Sequence, residues 1–200
     1  MQLKIQHAVG SRSITPTSVN SRIRRVSRRS GLGRLSRLSR AVFEILETRQ
    51  MMSVDVVNST ADSGAGSLRQ VISAAVAGDT IQFSPGLDGQ TITLSSGPLE
   101  ISKGITIAGP GASSLTISGG GASSVFLVDG MDRGSSVFIS GLTLTNGNAN
   151  DNVYPFATSG GAIDNEGVLT LTNSNLTDNT SSSGGAIYND GALTLSTSTA

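Results

Sequence analysis

The sequence of 200 residues contains no cysteine and no tryptophan, and its single histidine is His7. Without cysteine the chain can form no disulfide, use no thiol nucleophile and offer no thiolate metal ligand. With its one histidine so near the amino terminus, it can build no Ser-His-Asp triad or histidine-rich metal centre elsewhere. No apolar run approaches the roughly 18 residues that would span a membrane as a helix.

Charge is divided sharply along the chain. Residues 1–50 hold eleven basic residues against two acidic ones, a net +9, whereas residues 51–200 hold three basic residues against twelve acidic ones, a net −9. A block of like charge predicts a separate arm. Between residues 11 and 40 the sequence is mostly serine, arginine and small residues, too poor in apolar side chains to fold alone. We therefore predict that residues 1–52 form a basic targeting arm, disordered or helical.

Near the end of the arm, apolar residues recur at helical spacing, with arginines between them: Leu35, Leu38, Val42, Ile45 and Leu46. A basic amphipathic helix of this kind can lie on an anionic membrane or be read by an export machine, and a mitochondrial-type presequence is an alternative. Dense arginine could also bind phosphates. However, no aromatic residue lies between the arginines and the attached region is acidic, so we predict no nucleic-acid partner.

Residues 43–53, Phe-Glu-Ile-Leu-Glu-Thr-Arg-Gln-Met-Met-Ser, resemble the amino-terminal "LEPR" motif of exported planctomycete proteins. The sequence departs from that motif at Thr48, where proline is usual. The resemblance implies a targeting tag, and hence a location outside the cell, on its surface or in the outer membrane.

Residues 53–84 read as an opening strand followed by a short helix. Residues 67–70, Ser-Leu-Arg-Gln, form a capping-box pattern with Ser67 at the N-cap and Gln70 reaching back. An apolar stripe runs from Leu68 to Ala75, Gly78 is a natural stop, and residues 79–83 alternate like a strand. Such a helix can shield the first coil of a solenoid from water.

Residues 57–62 and 66–72 resemble the "CSLREA" element that opens many bacterial surface β-helices. Here Gly66 stands in place of the cysteine and Gln70 in place of the glutamate. The helix-capping pattern survives both changes.

An aliphatic-Thr-aliphatic triplet recurs along the rest of the chain, beginning at residues 92, 105, 115, 142, 169 and 193. If the copy at 105 is set aside, the steps are 23, 27, 27 and 24 residues. In a strand, residues two apart share a face, so each triplet buries its ends and exposes its threonine. The spacing predicts that the five triplets form one wall of successive coils.

The last two coils agree in detail, because residues 160–167 realign on residues 184–191 after 24 residues. This alignment stacks Asn165 on Asn189 as an amide ladder and Ile163 on Ile187 as an aliphatic one. We predict an all-β solenoid, a right-handed parallel β-helix, over residues 85–200. The right hand follows from the crossover rule for parallel strands.

Gly-Gly-Ala-Ile, present at residues 160–163 and 184–187, resembles the repeat of the polymorphic outer-membrane proteins. Their second signature, Phe-x-x-Asn, has a degenerate counterpart at residues 176–179, where leucine replaces phenylalanine. The likeness spans roughly residues 53–200 and implies the pectin-lyase-like fold. It is specific for fold and not for activity, since one fold hosts unrelated functions.

Two groups of residues are candidates for chemistry. Asp129, Asp132 and Arg133 share one predicted turn and could serve catalysis on a polysaccharide, although the glycines around them are typical of an ordinary loop. Glu166 and Asp190 are equivalent positions one coil apart, where calcium could bridge them; two solvent-exposed acids are the simpler interpretation. No other cofactor is expected.

These features predict an exported cell-surface protein with a structural or adhesive role, whose ligands are polysaccharides or proteins. The alternative is a carbohydrate-active lyase-like or hydrolase-like enzyme with its active site mostly outside this segment. Ala200 aligns with Leu176 in the middle of a coil. A bare solenoid end exposes core residues and a strand edge, so we expect the solenoid to continue or to meet another chain there.

Overall fold

The computed structural model describes residues 52–130, 136–150 and 159–199, all of which belong to one unit, residues 47–200. Within these ranges the chain forms one α-helix, α1 (Leu68–Ala74), a short 3₁₀ helix at Pro85–Leu87, and short strands. The strands are β1 (Val54–Val57), β2 (Thr80–Phe83), β3 (Gln90–Thr93), β4 (Leu99–Ile101), β5 (Thr106–Ala108), β6 (Leu115–Ser118), β7 (Phe126–Val128), β8 (Ser136–Ser140), β9 (Thr143–Thr145), β10 (Asn148–Ala149), β11 (Ile163–Asn165), β12 (Val168–Thr172), β13 (Asn175–Thr177), β14 (Thr180–Ser181), β15 (Ile187–Asn189) and β16 (Ala192–Ser196).

The strands pair into three main sheets. The first sheet has the order β1-β2-β5-β8-β12-β16, the second has the order β3-β6-β9-β13 and the third has the order β4-β7-β11-β15; β10 and β14 form a further pair. All of these described pairs are parallel. From β2 onward the chain visits the first, second and third sheets in turn, and β10 and β14 lie between the second and third. This stacked parallel arrangement is compatible with a β-solenoid.

Inward-pointing aliphatic side chains form continuous rows through the core. In the first sheet Ile81, Ile107, Ile139 and Leu171 follow one another by strand pairing, and all four are buried. The row ends at Leu195, whose residue is 48% exposed. Equivalent rows from the second and third sheets join the same hydrophobic cluster. The alternation in the sequence is therefore used as expected, with triplet ends buried and triplet centres outside.

The prediction that five triplets share one wall is wrong. The triplets at 92, 115 and 142 lie on the second sheet, whereas those at 169 and 193 lie on the first, together with the copy at 105 that had been set aside. Circuit length varies: Ile107 pairs with Ile139 after 32 residues, but Leu171 pairs with Leu195 after 24. The step of 27 residues from the triplet at 142 to that at 169 is thus a move between sheets.

The alignment of the last two coils is confirmed. Ile163 pairs with Ile187 and Asn165 with Asn189. The Asn165 side-chain amide donates to the Asn189 side-chain oxygen at 2.5 Å. The Asn165 oxygen itself is buried and accepts no hydrogen bond in the structure. The ladder therefore satisfies the amide donor of Asn165 but leaves its acceptor without a partner.

Helix α1 begins as predicted and ends earlier. The Ser67 hydroxyl accepts from the Gln70 N–H at 3.3 Å, and the Gln70 side chain accepts from the Gly66 N–H at 2.9 Å, so its return contact falls one residue before the N-cap. The last helical residue is Ala74, four residues before Gly78. The Asp79 carboxylate accepts from the Val76 N–H at 2.7 Å, which turns the chain toward β2 before the helix can extend.

The corners after the first sheet require left-handed backbone. Gly141, Asn173 and Thr197 follow β8, β12 and β16 in equivalent positions and have φ values of 65°, 49° and 48°. Glycine and asparagine adopt this conformation readily, whereas threonine does not. The Thr197 hydroxyl donates to the Asn173 side-chain oxygen at 2.6 Å, which links two of these corners. In the described ranges, no helix is long and apolar enough to cross a membrane.

Candidate binding face

The outer surface of the first sheet, which we term the hydroxyl face, carries two rows of outward side chains. Strand pairing aligns Thr80, Thr106, Phe138, Thr170 and Thr194 in one row and Gln82, Ala108, Ser140, Thr172 and Ser196 in the other. Val54 and Val56 of β1 begin the two rows. Each of these twelve side chains is exposed or half-buried. In the described structure, therefore, this face is open along six consecutive strands.

None of the side chains in these two rows is charged, although the described residues include ten carboxylates. Stacked strands lie about 4.8 Å apart, and residues two apart along a strand are separated by about 6.7 Å. Hydroxyl groups are therefore repeated across the face at nearly constant spacing. Because threonine is stiff about χ1, this array is largely pre-organised.

Phe138 interrupts the first hydroxyl row. Its neighbours by strand pairing are Thr106 on one side and Thr170 on the other, and 47% of its surface is exposed. An outward aromatic ring between two threonines offers an apolar patch flanked by hydrogen-bonding groups. The triplet pattern does not include this residue. The signal in the sequence is the outward position of Phe138 between the buried Val137 and Ile139.

A groove of about 470 Å³ lies beside α1 and is lined by Arg69, Glu100 and Lys103 together with serines and apolar residues. Arg69 and Lys103 are the only basic residues in the described ranges. Both already have structural partners. Arg69 donates to the Asp62 carboxylate and to the Gly97 and Pro98 carbonyls, each at 2.7 Å.

Lys103 donates to the Ser73 and Ala75 carbonyls at 3.0 and 2.6 Å and so holds the carboxyl end of α1. At the other end of the groove, burial of Asp62 favours its neutral form, but hydrogen bonds from Ser96, Arg69 and Ser95 outweigh burial and lower the pKa of Asp62 to about 2. The two basic side chains therefore fasten α1 to the turn before β4. Sequence reasoning did not single them out; their scarcity in an acidic region was the available signal.

The structure brings three predicted residues into one column. Asp129, Glu166 and Asp190 each follow a strand of the third sheet in equivalent positions. Their amides donate to the Ile101, Val128 and Asn165 carbonyls at 3.0, 2.9 and 2.8 Å. Asp129 is half-buried, whereas Glu166 and Asp190 are exposed.

Asp132 and Arg133 lie outside the described residues, so the predicted grouping of Asp129 with them has no structural test. A Cβ atom on Gly130 would lie 2.4 Å from the Glu166 carbonyl oxygen, so this glycine allows two coils to approach closely at the corner. Within the described ranges, no group of three or more histidine, cysteine, aspartate or glutamate residues is arranged to hold a metal ion. The carboxylate column thus has no assembled ligand set there.

Asp164 is the buried acid of the described region. It points outward from β11 between Leu127 and Tyr188, yet only 3% of its surface is exposed. One carboxylate oxygen accepts from the Ser159 N–H at 2.8 Å, and the other has no partner. Burial raises the pKa of Asp164, which the Ser159 contact only partly offsets. Strand alternation predicts exposure at this position, so sequence carries no sign of its burial.

No protein-family model, curated protein or solved structure matches the chain. The functional argument therefore depends on its own residues.

Proposed function

We propose that this chain is a right-handed parallel β-helix of the pectin-lyase-like type, with α1 capping its first coil. The repeated first-second-third sheet order and the parallel pairing support the β-helix. Parallel crossovers are almost always right-handed, which supports the hand. Leu68 and Ile72 of α1 are buried in the common hydrophobic cluster, and α1 contacts β1 and β4, as a helix covering the end of a coil would.

The function that we propose is adhesion at the cell surface through the hydroxyl face. The observation that carries this proposal is the uncharged, six-stranded outer surface of the first sheet with Phe138 exposed at its centre. A regular face on a stacked parallel scaffold can bind an extended ligand without rearranging, which lowers the entropic cost of binding. The structural part of the role follows from the same rigidity.

The basic arm at residues 1–52, with its LEPR-like motif, supports export and thus the surface location. Protease shaving of intact source cells tests this location, with an antibody against residues 85–200 as the probe. We expect loss of the antigen from intact cells. Protection of the antigen until the cells are lysed would contradict a surface location, provided that an intracellular marker stays intact in both samples.

A carbohydrate-active enzyme is the second candidate, and the column of Asp129, Glu166 and Asp190 is the observation that favours it. Paired carboxylates at fixed separation are what hydrolysis or calcium-assisted cleavage of a polysaccharide uses. The assay is release of reducing or unsaturated ends from polygalacturonate across a range of calcium concentrations. Turnover lost in Asp129→Asn and retained in Asp178→Asn would support the enzyme, whereas no turnover at any calcium concentration would exclude it for this substrate.

A further inference from the structure

We propose that the ligand of the hydroxyl face is an uncharged polysaccharide, with Phe138 as the stacking anchor. This inference rests on the proposed adhesive function and names the chemical class of its ligand. The property that first points to it is charge. The ten carboxylates of the described ranges are all absent from the two outward rows of the first sheet.

A charged ligand would gain no opposite charge on this face and would still lose hydration on binding. An acidic polymer would in addition approach a region rich in carboxylates, such as Glu166 and Asp190, which are exposed. A neutral ligand meets neither cost. Charge therefore favours a neutral polymer over an acidic one.

The spacing of hydrogen-bonding groups favours a repetitive ligand. Hydroxyl or amide side chains recur from Thr80 to Thr194 in one row and from Gln82 to Ser196 in the other, interrupted only by Phe138 and Ala108. Six strands extend over about 24 Å, which is long enough for several sugar units. A hydroxyl both donates and accepts, so such rows can match the hydroxyl groups of a polysaccharide along its length.

Phe138 provides what hydroxyl rows lack. The less polar face of a pyranose ring, lined by C–H groups, can stack on an aromatic ring, and the half-exposed Phe138 presents such a ring between Thr106 and Thr170. A protein partner would be favoured by a continuous apolar centre. Here the aromatic residue is flanked by threonines in its row, which fits a sugar better than a protein core.

The experiment is affinity gel electrophoresis of the full chain in gels containing hydroxyethylcellulose, laminarin, xylan or mannan. We expect at least one of these neutral polysaccharides to retard the protein. Phe138→Ala should weaken that binding about tenfold, the size typical of losing a central anchor. Phe138→Thr should do the same while continuing the threonine row, so that loss of binding is not confused with loss of folding.

Tyr188→Ala is the matched control, because Tyr188 is an outward aromatic on the third sheet, 36% exposed. Its binding should equal that of the wild type. A second comparison uses polygalacturonate with added salt. The basic arm will attract this acidic polymer, but salt screens that attraction, whereas the Phe138-dependent binding to a neutral polymer should persist in salt.

Several results would overturn the inference: no retardation by any of the four polymers, an equal loss in Tyr188→Ala, or concentration-dependent self-association that Phe138→Thr abolishes. The last would make the face a contact between two copies. If shaving removes the antigen while no neutral polymer binds, the surface function survives and the ligand assignment fails. If a neutral polymer binds in a Phe138-dependent way but the antigen is protected, the binding face stands and the surface location fails.

Discussion

Asp164→Asn should make the protein more stable at neutral pH, although it removes a residue at the centre of a sheet. Asp164 is 3% exposed, and one of its carboxylate oxygens has no partner. Leaving a buried polar group unsatisfied costs roughly 1–3 kcal/mol, and more when the group is charged. Asparagine keeps an oxygen to accept from the Ser159 N–H and carries no charge, so we expect a gain of about 1–3 kcal/mol in the free energy of unfolding.

The gain should depend on pH in a defined direction. Burial raises the pKa of Asp164 in the folded protein above its ordinary value of 3.8. The stabilisation associated with the bound proton is therefore complete below the ordinary pKa and is lost as pH rises through the raised one. Asp164→Asn should thus resemble the wild type in acid and exceed it at neutral pH.

Urea unfolding of the full chain, followed by circular dichroism from about pH 4 to about pH 8, measures both effects. Asp190→Asn is the matched control, because it removes the same charge from an exposed position of the neighbouring coil. It should change the free energy of unfolding by less than about 0.5 kcal/mol. An Asp164→Asn variant less stable than the wild type at neutral pH, or a gain shared by Asp190→Asn, would refute the reasoning.

Three further predictions concern the core, a corner and the clamp beside α1. Ile107→Ala should lower the free energy of unfolding by about 2–5 kcal/mol and Leu195→Ala by about 1 kcal/mol, because the first residue is fully buried and the second is 48% exposed; equal losses by urea unfolding would contradict this. Asn173→Ala should cost about 1 kcal/mol and Asn173→Gly less, because φ is 49° there; thermal unfolding compares them. Asp62→Asn should flatten the acid limb of stability between pH 3.8 and about 2, since the contribution of a carboxylate with a lowered pKa is lost as pH falls through that window; a limb unchanged from the wild type would disprove it.

Local patterns in the sequence were sufficient for several elements of the fold. The aliphatic-Thr-aliphatic triplets, such as Leu169–Leu171, place their ends in the core and their centre outside because strand alternation is a property of the backbone itself. The cap of α1 at Ser67 is likewise local, since its partners lie within three residues. The stacking of Asn165 on Asn189 followed from an internal repeat without insertions.

The assignment of strands to sheets depended on the tertiary structure. Because one circuit takes 24 residues and another 32, sequence spacing alone cannot tell whether Leu142 and Leu169 belong to the same wall. In the structure they belong to different sheets. The length of each corner, and not the strand pattern, decides the register.

The candidate sites divide in the same way. From the sequence, Glu166 and Asp190 were expected at equivalent positions because the repeat is regular there, and the structure adds Asp129 to their column. The open hydroxyl face around Phe138 and the burial of Asp164 depend on which neighbouring segments cover an outward side chain, and strand alternation carries no information about that. The sequence by itself thus determined which side chains point inward, because alternation is local; tertiary packing decided which outward side chains remain open to a ligand, because covering is a long-range property.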